Sequence, residues 1–309
     1  MSERKRFKMN EIGKRITEKL IEIHGSKDFS ITFLPYKRSM WNSMESVYEE
    51  CKAAGAKAYL VPIPYFEVKD GETVRLKCDR QYFSGANRLT FLETNTFDFV
   101  VIHYPYDDHN KVTRLPETLH IQNLRKYGKI IYIPYSCTNM RQLRVQPGIA
   151  NVDYAFLGSK AEAEAFIREW KEYGVDFTGK VFGFGSPKMD AARKLSFGSA
   201  TVILNSLGPF LTNPFGKMKQ YSDIMLEETT KGKEVIFRPH PLLRQTIESM
   251  RPDTEREYLS LLSFAGHVGV EVDESEDLEK TLGRADYLIS DPSSVLEMWA
   301  STGRRYQVI

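Results

Sequence analysis

Short apolar runs rich in β-branched and aromatic residues alternate with longer amphipathic stretches along the whole chain. No other feature constrains the fold as tightly, because strands separated by helices build parallel sheets covered on both faces. Strands are expected at Phe29–Leu34, Ala58–Ile63, Phe97–His103 and Lys129–Ile133. Further strands are expected at Tyr154–Leu157, Lys180–Phe182, Thr201–Leu204, Glu234–Phe237, Val268–Val272, Tyr287–Ile289 and Tyr306–Ile309. Helices are expected at Asn10–His24, Ser39–Ala54, Glu117–Tyr127, Lys160–Tyr173 and Met218–Thr230. Ser39 would cap the second of these and Gly55 would close it. The polar, glycine-containing stretch Val68–Arg88 reads as a long loop or small hairpin.

At 309 residues the chain exceeds one ordinary core, so two domains follow. Ser136–Asn151 lacks periodicity and contains Pro147-Gly148, and is read as the linker. The expected architecture is α/β: residues 1–145 and 146–309 each form a doubly wound parallel-sheet domain, and the two face a cleft. The chain closes inside a strand at Gln307-Val308-Ile309. Since a covering helix usually follows such a strand, a further C-terminal element is expected.

Composition narrows the function. Hydrophobic residues make up 41% and charged residues 27%, as in water-soluble globular proteins. No apolar run approaches the ~20 residues of a membrane span, and no signal-peptide pattern is visible. Cys51, Cys78 and Cys137 have neither zinc nor disulfide spacing, which points to a reducing cytoplasm. A net charge of +2 argues against a nucleic-acid partner. Arg4, Lys5, Arg6, Lys8, Lys14, Arg15 and Lys19 crowd the first amphipathic stretch. They read as a solvated helix face, with peripheral docking on the inner face of an anionic membrane as the alternative.

Two motifs point to chemistry. Arg238-Pro239-His240-Pro241 follows the apolar run Glu234–Phe237, and Asp291-Pro292-Ser293-Ser294-Val295-Leu296-Glu297 follows Asp286–Ser290. In open α/β sheets ligands bind outside the carboxyl ends of strands. One motif offers an imidazole and a guanidinium. The other opens a helix with two hydroxyls and free N–H groups, a combination suited to a phosphate or diphosphate.

These motifs, with Gly185-Ser186-Pro187-Lys188-Met189-Asp190, the run Ala285–Val295 and Gly303, resemble the CDP-glycerol glycerophosphotransferase family of teichoic-acid primases and polymerases. Leu34-Pro35-Tyr36-Lys37, Val61-Pro62-Ile63-Pro64-Tyr65 and His103-Tyr104-Pro105-Tyr106-Asp107 resemble the amino-terminal half of a branch of that family. The resemblance implies a GT-B-like fold of two Rossmann-like domains, with the donor bound mainly by the second. It also implies transfer of glycerol phosphate from CDP-glycerol, or another CDP-polyol, to a hydroxyl of a lipid-linked or polymeric acceptor in cell-wall or capsule synthesis. CMP is released and no cofactor is required.

Carried over, His240 would contact the donor phosphates, and Ser293 and Ser294 would cradle them. Arg238 would add a bidentate contact or, equally, fix its own loop through a salt bridge. Better-known members carry Trp-His-Gly in a strand-to-helix turn, and that His is their candidate general base. Here the turn reads Ile133-Pro134-Tyr135-Ser136-Cys137-Thr138, without His. His103, near Asp107 and His109, is the expected replacement, set against a structural reading as a hydrogen-bonded strand-end His. Ser39, Asp107, Tyr135, Asn205 and Ser206 are the expected cleft-lining residues. Asp291 and Glu297 invite a metal reading, but capping and hydrogen bonding fit their spacing better, so no metal is expected. Two other functions stay open: a sugar-nucleotide glycosyltransferase or epimerase on the same fold, and a degenerate nucleotide-binding subunit.

Overall fold

The computed structural model describes residues 10–69, 71–137, 140–198, 201–208 and 213–309. They fall into two units. The first comprises residues up to Phe66 together with Arg75–Lys194; the second comprises Glu67–Val74 and Leu195–Ile309.

The first nine strands are β1 (Ser30–Phe33), β2 (Lys57–Leu60), β3 (Tyr65–Lys69), β4 (Glu72–Lys77), β5 (Phe99–Ile102), β6 (Thr113–Arg114), β7 (Lys129–Tyr132), β8 (Tyr154–Leu157) and β9 (Lys180–Gly183). Six of them form a sheet in the order β2-β1-β5-β7-β8-β9, with parallel pairing throughout. β1, β5 and β7 are almost wholly buried, as their unbroken apolar runs require of strands covered on both faces.

The helix Glu11–His24 buries Ile12, Gly13, Ile16, Thr17 and Leu20, one face at helical spacing. It lies so close to the helix Glu45–Ala53 that a Cβ on Gly13 would stand 2.6 Å from the Ser46 carbonyl carbon. Its end is closed by Gly25 at φ +83°, whose N–H donates to Ile21 O. Its N-terminus is held from far along the chain. The fully buried carboxylate of Asp190 accepts the N–H groups of Ile12 and Gly13 at 3.1 and 2.8 Å.

That bond and the pairing of β8 and β9 revise the expected boundary at 145/146. The whole of Arg75–Lys194 belongs to the first unit. The stretch read as a linker folds instead into two short 3-10 turns, Arg141–Leu143 and Pro147–Asn151, with Leu143 and Ile149 fully buried. Arg144 within it is also buried, on Glu169 at 2.7 Å and Glu162 at 3.6 Å. Periodicity is missing there because a buried ion-pair cluster and packed 3-10 turns anchor the described residues of the segment.

Two expected helices are broken. Ser39–Ala54 divides into a 3-10 turn, Arg38–Ser43, and the helix Glu45–Ala53. Glu117–Tyr127 divides at His120, where the Asp107 carboxylate accepts the N–H of Ile121 at 3.0 Å. Val68–Arg88 contains the hairpin half of its expectation, through β3 and β4.

The second unit holds β10 (Thr201–Ser206), β11 (Glu234–Pro239), β12 (Glu271–Val272), β13 (Tyr287–Ser290) and β14 (Tyr306–Val308) in the order β12-β11-β10-β13-β14. All pairs are parallel. Its core joins Val202, Leu204, Val235, Phe237 and Ile289 to Met218, Tyr221 and Met225 of the helix Pro214–Thr230, and to Tyr258, Leu261 and Ala265 of the helix Glu255–His267.

Among the described residues no helix is long and apolar enough to cross a membrane. Arg4, Lys5, Arg6 and Lys8 lie outside the described residues. Lys14 and Lys19 pair with Glu18 and Glu22 on their own helix, and Arg15 donates to Phe184 O at 3.0 Å.

Candidate nucleotide site and its counterpart

β10 is the first strand of the second sheet, yet it lies between β11 and β13. The chain therefore leaves β10 toward one edge and later returns to its other side. In open α/β sheets the carboxyl ends of strands at such a reversal are where ligands bind. The register sets Asn205 level with Ser290 across the reversal, and with Arg238 on the other side.

Asn205 is buried and donates from Nδ2 to Ser290 Oγ at 2.9 Å and to Ser293 Oγ at 3.4 Å. Ser290 passes its own proton to Asp291 O at 2.7 Å. Ser293 is the N-cap of the helix Ser294–Ala300 and accepts the N–H of Leu296 at 3.2 Å. Ser293 and Ser294 stay partly exposed while Ser290 and Asp291 are buried. Asp291, expected as a helix cap, faces elsewhere. Its carboxylate accepts Gly208 N–H at 3.0 Å and Tyr221 O–H at 2.9 Å, and pairs with Lys217 at 3.1 Å.

On the β11 side, Pro239 and Pro241 fix the backbone around His240. His240 donates its N–H to Ser206 O at 2.8 Å, and its Nδ1 accepts Leu242 N–H at 3.1 Å. With Nδ1 accepting, Nε2 is the nitrogen that carries the proton in the neutral ring. Ser206 and Leu207 sit at φ +87° and +50°, a conformation costly for side-chain-bearing residues and characteristic of functional turns.

Arg238 takes the second of its two expected roles. It is buried, ion-paired to Asp273, and donates to Thr281 Oγ1 at 3.1 Å and Ser275 O at 2.7 Å. The guanidinium is spent on Asp273, Ser275 and the helix residue Thr281, which is the salt-bridge role and not the bidentate phosphate contact.

The first sheet has a reversal too, between β1 and β5. His103 lies there and is fully buried. Its Nε2 accepts Tyr36 N–H at 3.0 Å. Ser43 Oγ, 2.9 Å from Nδ1, spends its proton on Met40 O at 2.8 Å. The ring therefore donates from Nδ1 and accepts at Nε2. Burial first, then the charge of Lys188, lowers its pKa to about 3. A general base needs an available lone pair and a pKa near working pH. His103 has neither, so the expected base becomes a staple joining the turn after β1 to the end of β5. This staple also explains the broken helix at Ser43. Its expected neighbours are elsewhere: Asp107 caps Ile121, and His109 lies 3.5 Å from Asp108.

Around His103 the edge is aromatic. Tyr36 stacks on Tyr104 at 4.4 Å and meets Tyr65 at 4.7 Å. The hydroxyls of Tyr36 and Tyr104 reach Thr113 Oγ1 and Thr113 O at 2.5 and 2.6 Å. Tyr135 lies within 3.4 Å of the Tyr106 hydroxyl, and burial holds both phenols above their ordinary pKa. Asp107 is buried at φ +50°, and its carboxylate pKa is raised by burial. Ser39 is partly buried within the 3-10 turn. The expected cleft-lining set thus divides: Asn205 and Ser206 join the second edge, whereas Ser39, Asp107 and Tyr135 lie around the first.

Tyr221 and Lys217 are residues that sequence reasoning misses. Their only signal is four-residue spacing on one helix face, which any surface helix can show. Among the described residues no group of three His, Cys, Asp or Glu side chains could hold a metal ion.

No protein-family model and no curated protein matches the chain. Its fold is similar to that of the UDP-GlcNAc 2-epimerase of Methanocaldococcus jannaschii, solved with UDP-GlcNAc and UDP. The TM-score is 0.56 at 12% identity, covering 90% of this chain and 83% of that one. A Listeria monocytogenes protein assigned as a UDP-N-acetylglucosamine 2-epimerase gives 0.54 at 12% identity, covering 91% and 79%. The chain thus has the GT-B-type fold of two Rossmann-like domains.

Proposed function

We propose that this protein binds a nucleotide-diphosphate-linked donor at the β10–β13 crevice of its second unit. It transfers a polyol-phosphate unit, glycerol phosphate by the motif resemblance, from a CDP-polyol to an acceptor hydroxyl. The observation that carries this reading is the convergence of Asn205, Ser290 and Ser293 across the strand reversal, with His240 bonded to the adjoining turn. The set supplies hydroxyls and a ring N–H, and its one carboxylate, Asp291, is already satisfied.

The acceptor oxygen forms a bond to the donor's β-phosphorus as the bond from that phosphorus to the CMP oxygen breaks. The hydroxyl proton passes to solvent and CMP leaves. Phosphoryl transfer through a loose transition state asks mainly for positioning and neutralisation of charge. His240 Nε2–H and the hydroxyls of Ser293 and Ser294 supply these in our reading. With His103 removed from the scheme, no side chain is assigned as base. A lipid-linked or polymeric acceptor, the absence of any cofactor, and a place at the inner membrane face belong to the same proposal.

A second reading, sugar-nucleotide chemistry, is favoured by the fold shared with the Methanocaldococcus enzyme, which was solved with UDP-GlcNAc and UDP. Calorimetric titration with CDP-glycerol, CDP-ribitol and UDP-GlcNAc separates the two. A CDP-polyol that binds and is turned over to CMP supports the transferase. Binding of UDP-GlcNAc alone replaces it with the second reading. Binding with no turnover of any donor leaves a nucleotide-binding subunit.

A further inference from the structure

The turn after β10 is expensive to make. Ser206 and Leu207 are consecutive, neither is glycine, and both have positive φ. Such a residue is strained, so it persists only where its surroundings enforce it. Here the enforcement is specific. The Tyr221 hydroxyl, on a fully buried ring, accepts Leu207 N–H at 2.8 Å and lies 2.8 Å from Asn205 O and 2.9 Å from the Asp291 carboxylate. Asp291 takes the next N–H, that of Gly208, at 3.0 Å, and Lys217 balances its charge from 3.1 Å.

The turn so held is a junction. Asn205 before it bonds Ser290 and Ser293, and the carbonyl of Ser206 receives the N–H of His240. We infer that Tyr221, Asp291 and Lys217 form a positioning unit that keeps the Ser206–Leu207 turn in its left-handed conformation, and thereby sets Asn205 and His240 for a donor diphosphate. The inference rests on the nucleotide-diphosphate reading above. Tyr221 and Asp291 bond the turn, and Lys217 reaches it through Asp291, so the three are positioning residues.

A strain-holding role differs from simple packing in one respect: relieving the strain should replace the clamp. Glycine adopts positive φ without steric cost. The experiment is calorimetric titration of CDP and UDP into the full chain, its Tyr221→Phe variant, and Tyr221→Phe combined with Leu207→Gly. Tyr221→Phe is expected to weaken nucleotide binding about tenfold, and Leu207→Gly to restore most of that loss while stability stays below wild type. Binding within twofold of wild type in Tyr221→Phe overturns the inference and leaves the donor site standing. Weakened binding that Leu207→Gly does not recover overturns it as well. If wild type binds neither CDP nor UDP, the nucleotide reading falls and the inference with it. Should Tyr221→Phe fail to fold, Lys217→Met at the partly exposed end of the unit replaces it. About threefold weaker binding, restored by Leu207→Gly, is then expected, and unchanged binding overturns the inference.

Discussion

The two units share one topological device and finish it in opposite ways. Each parallel sheet reverses its strand order, and the carboxyl edge at such a reversal is where ligands bind in open α/β sheets. In the first unit the opening is filled. His103 ties the turn after β1 to the end of β5, and Tyr36, Tyr65 and Tyr104 pack over it. In the second the opening keeps polar groups at its surface, with Ser293, Ser294 and His240 partly exposed and Asn205 and Asp291 behind them. Topology thus offers a crevice, and the side chains decide whether it becomes core or site. Both units also contain a histidine next to a reversal. The fully enclosed one, with both ring nitrogens engaged, is structural. The partly exposed one, bonded to the turn after β10, is the candidate for chemistry.

The strongest challenge to this contrast is at Arg238. Arg238→Ala leaves the partly buried Asp273 carboxylate without its ion pair and should cost about 2–3 kcal/mol in urea unfolding of the second unit. A loss of donor affinity without loss of stability would return Arg238 to the phosphate site. His103 comes next. His103→Gln should destabilise the first unit by roughly 2–3 kcal/mol, because Tyr36 N–H and Ser43 lose well-placed buried partners. Turnover measured well below the unfolding transition should stay within a few-fold of wild type, and a loss of a thousandfold or more would restore His103 as the base.

The same residue gives a pH test. Its folded pKa, about 3, lies below the unfolded value of 6.5, so the unfolded chain binds the proton first. The stabilisation is complete above pH 6.5 and is lost as pH falls from there toward 3, at about 1.4 kcal/mol per pH unit. Urea denaturation at pH 7 and pH 5 should show a loss of roughly 2 kcal/mol from this group. The part due to His103 should vanish in His103→Gln, and an identical pH dependence in wild type and variant would refute the buried neutral ring.

On the other edge, His240→Ala should weaken donor binding about tenfold or more by calorimetry while leaving the melting temperature nearly unchanged. Wild-type affinity in that variant would remove His240 from the site. The smallest effect is expected at Tyr135→Phe, whose hydroxyl lies a long 3.4 Å from that of Tyr106. Stability should change by less than about 1 kcal/mol and turnover by less than twofold. A large rise in acceptor KM would show that the first edge is less closed than its packing indicates.

Much of the fold is legible in the order of the amino acids. The strand runs are apolar because parallel strands are covered on both faces, and Thr201–Leu204, Glu234–Phe237 and Tyr287–Ile289 all fall within observed strands. The positions of Ser293 and His240 at strand ends follow from the same pattern. The partners of the polar groups are not legible. Arg238 and His240 stand two residues apart in one motif, yet Asp273 and Thr281, more than thirty residues on in sequence, engage the Arg238 guanidinium. Likewise the stretch 136–151 resembles a linker because Arg144 looks exposed until Glu162 and Glu169 are folded onto it.

By itself, then, the sequence determined the alternation of elements, the parallel sheets and the strand ends at which chemistry is possible, since these depend on local periodicity and on where apolar runs stop. Tertiary structure alone decided where the first unit ends, which histidine is neutral and enclosed, which arginine is spent, and that Tyr221 and Asp291 hold the turn after β10. Those outcomes depend on burial and on hydrogen-bond partners distant in sequence. A side chain's charge, proton position and freedom are properties of its surroundings.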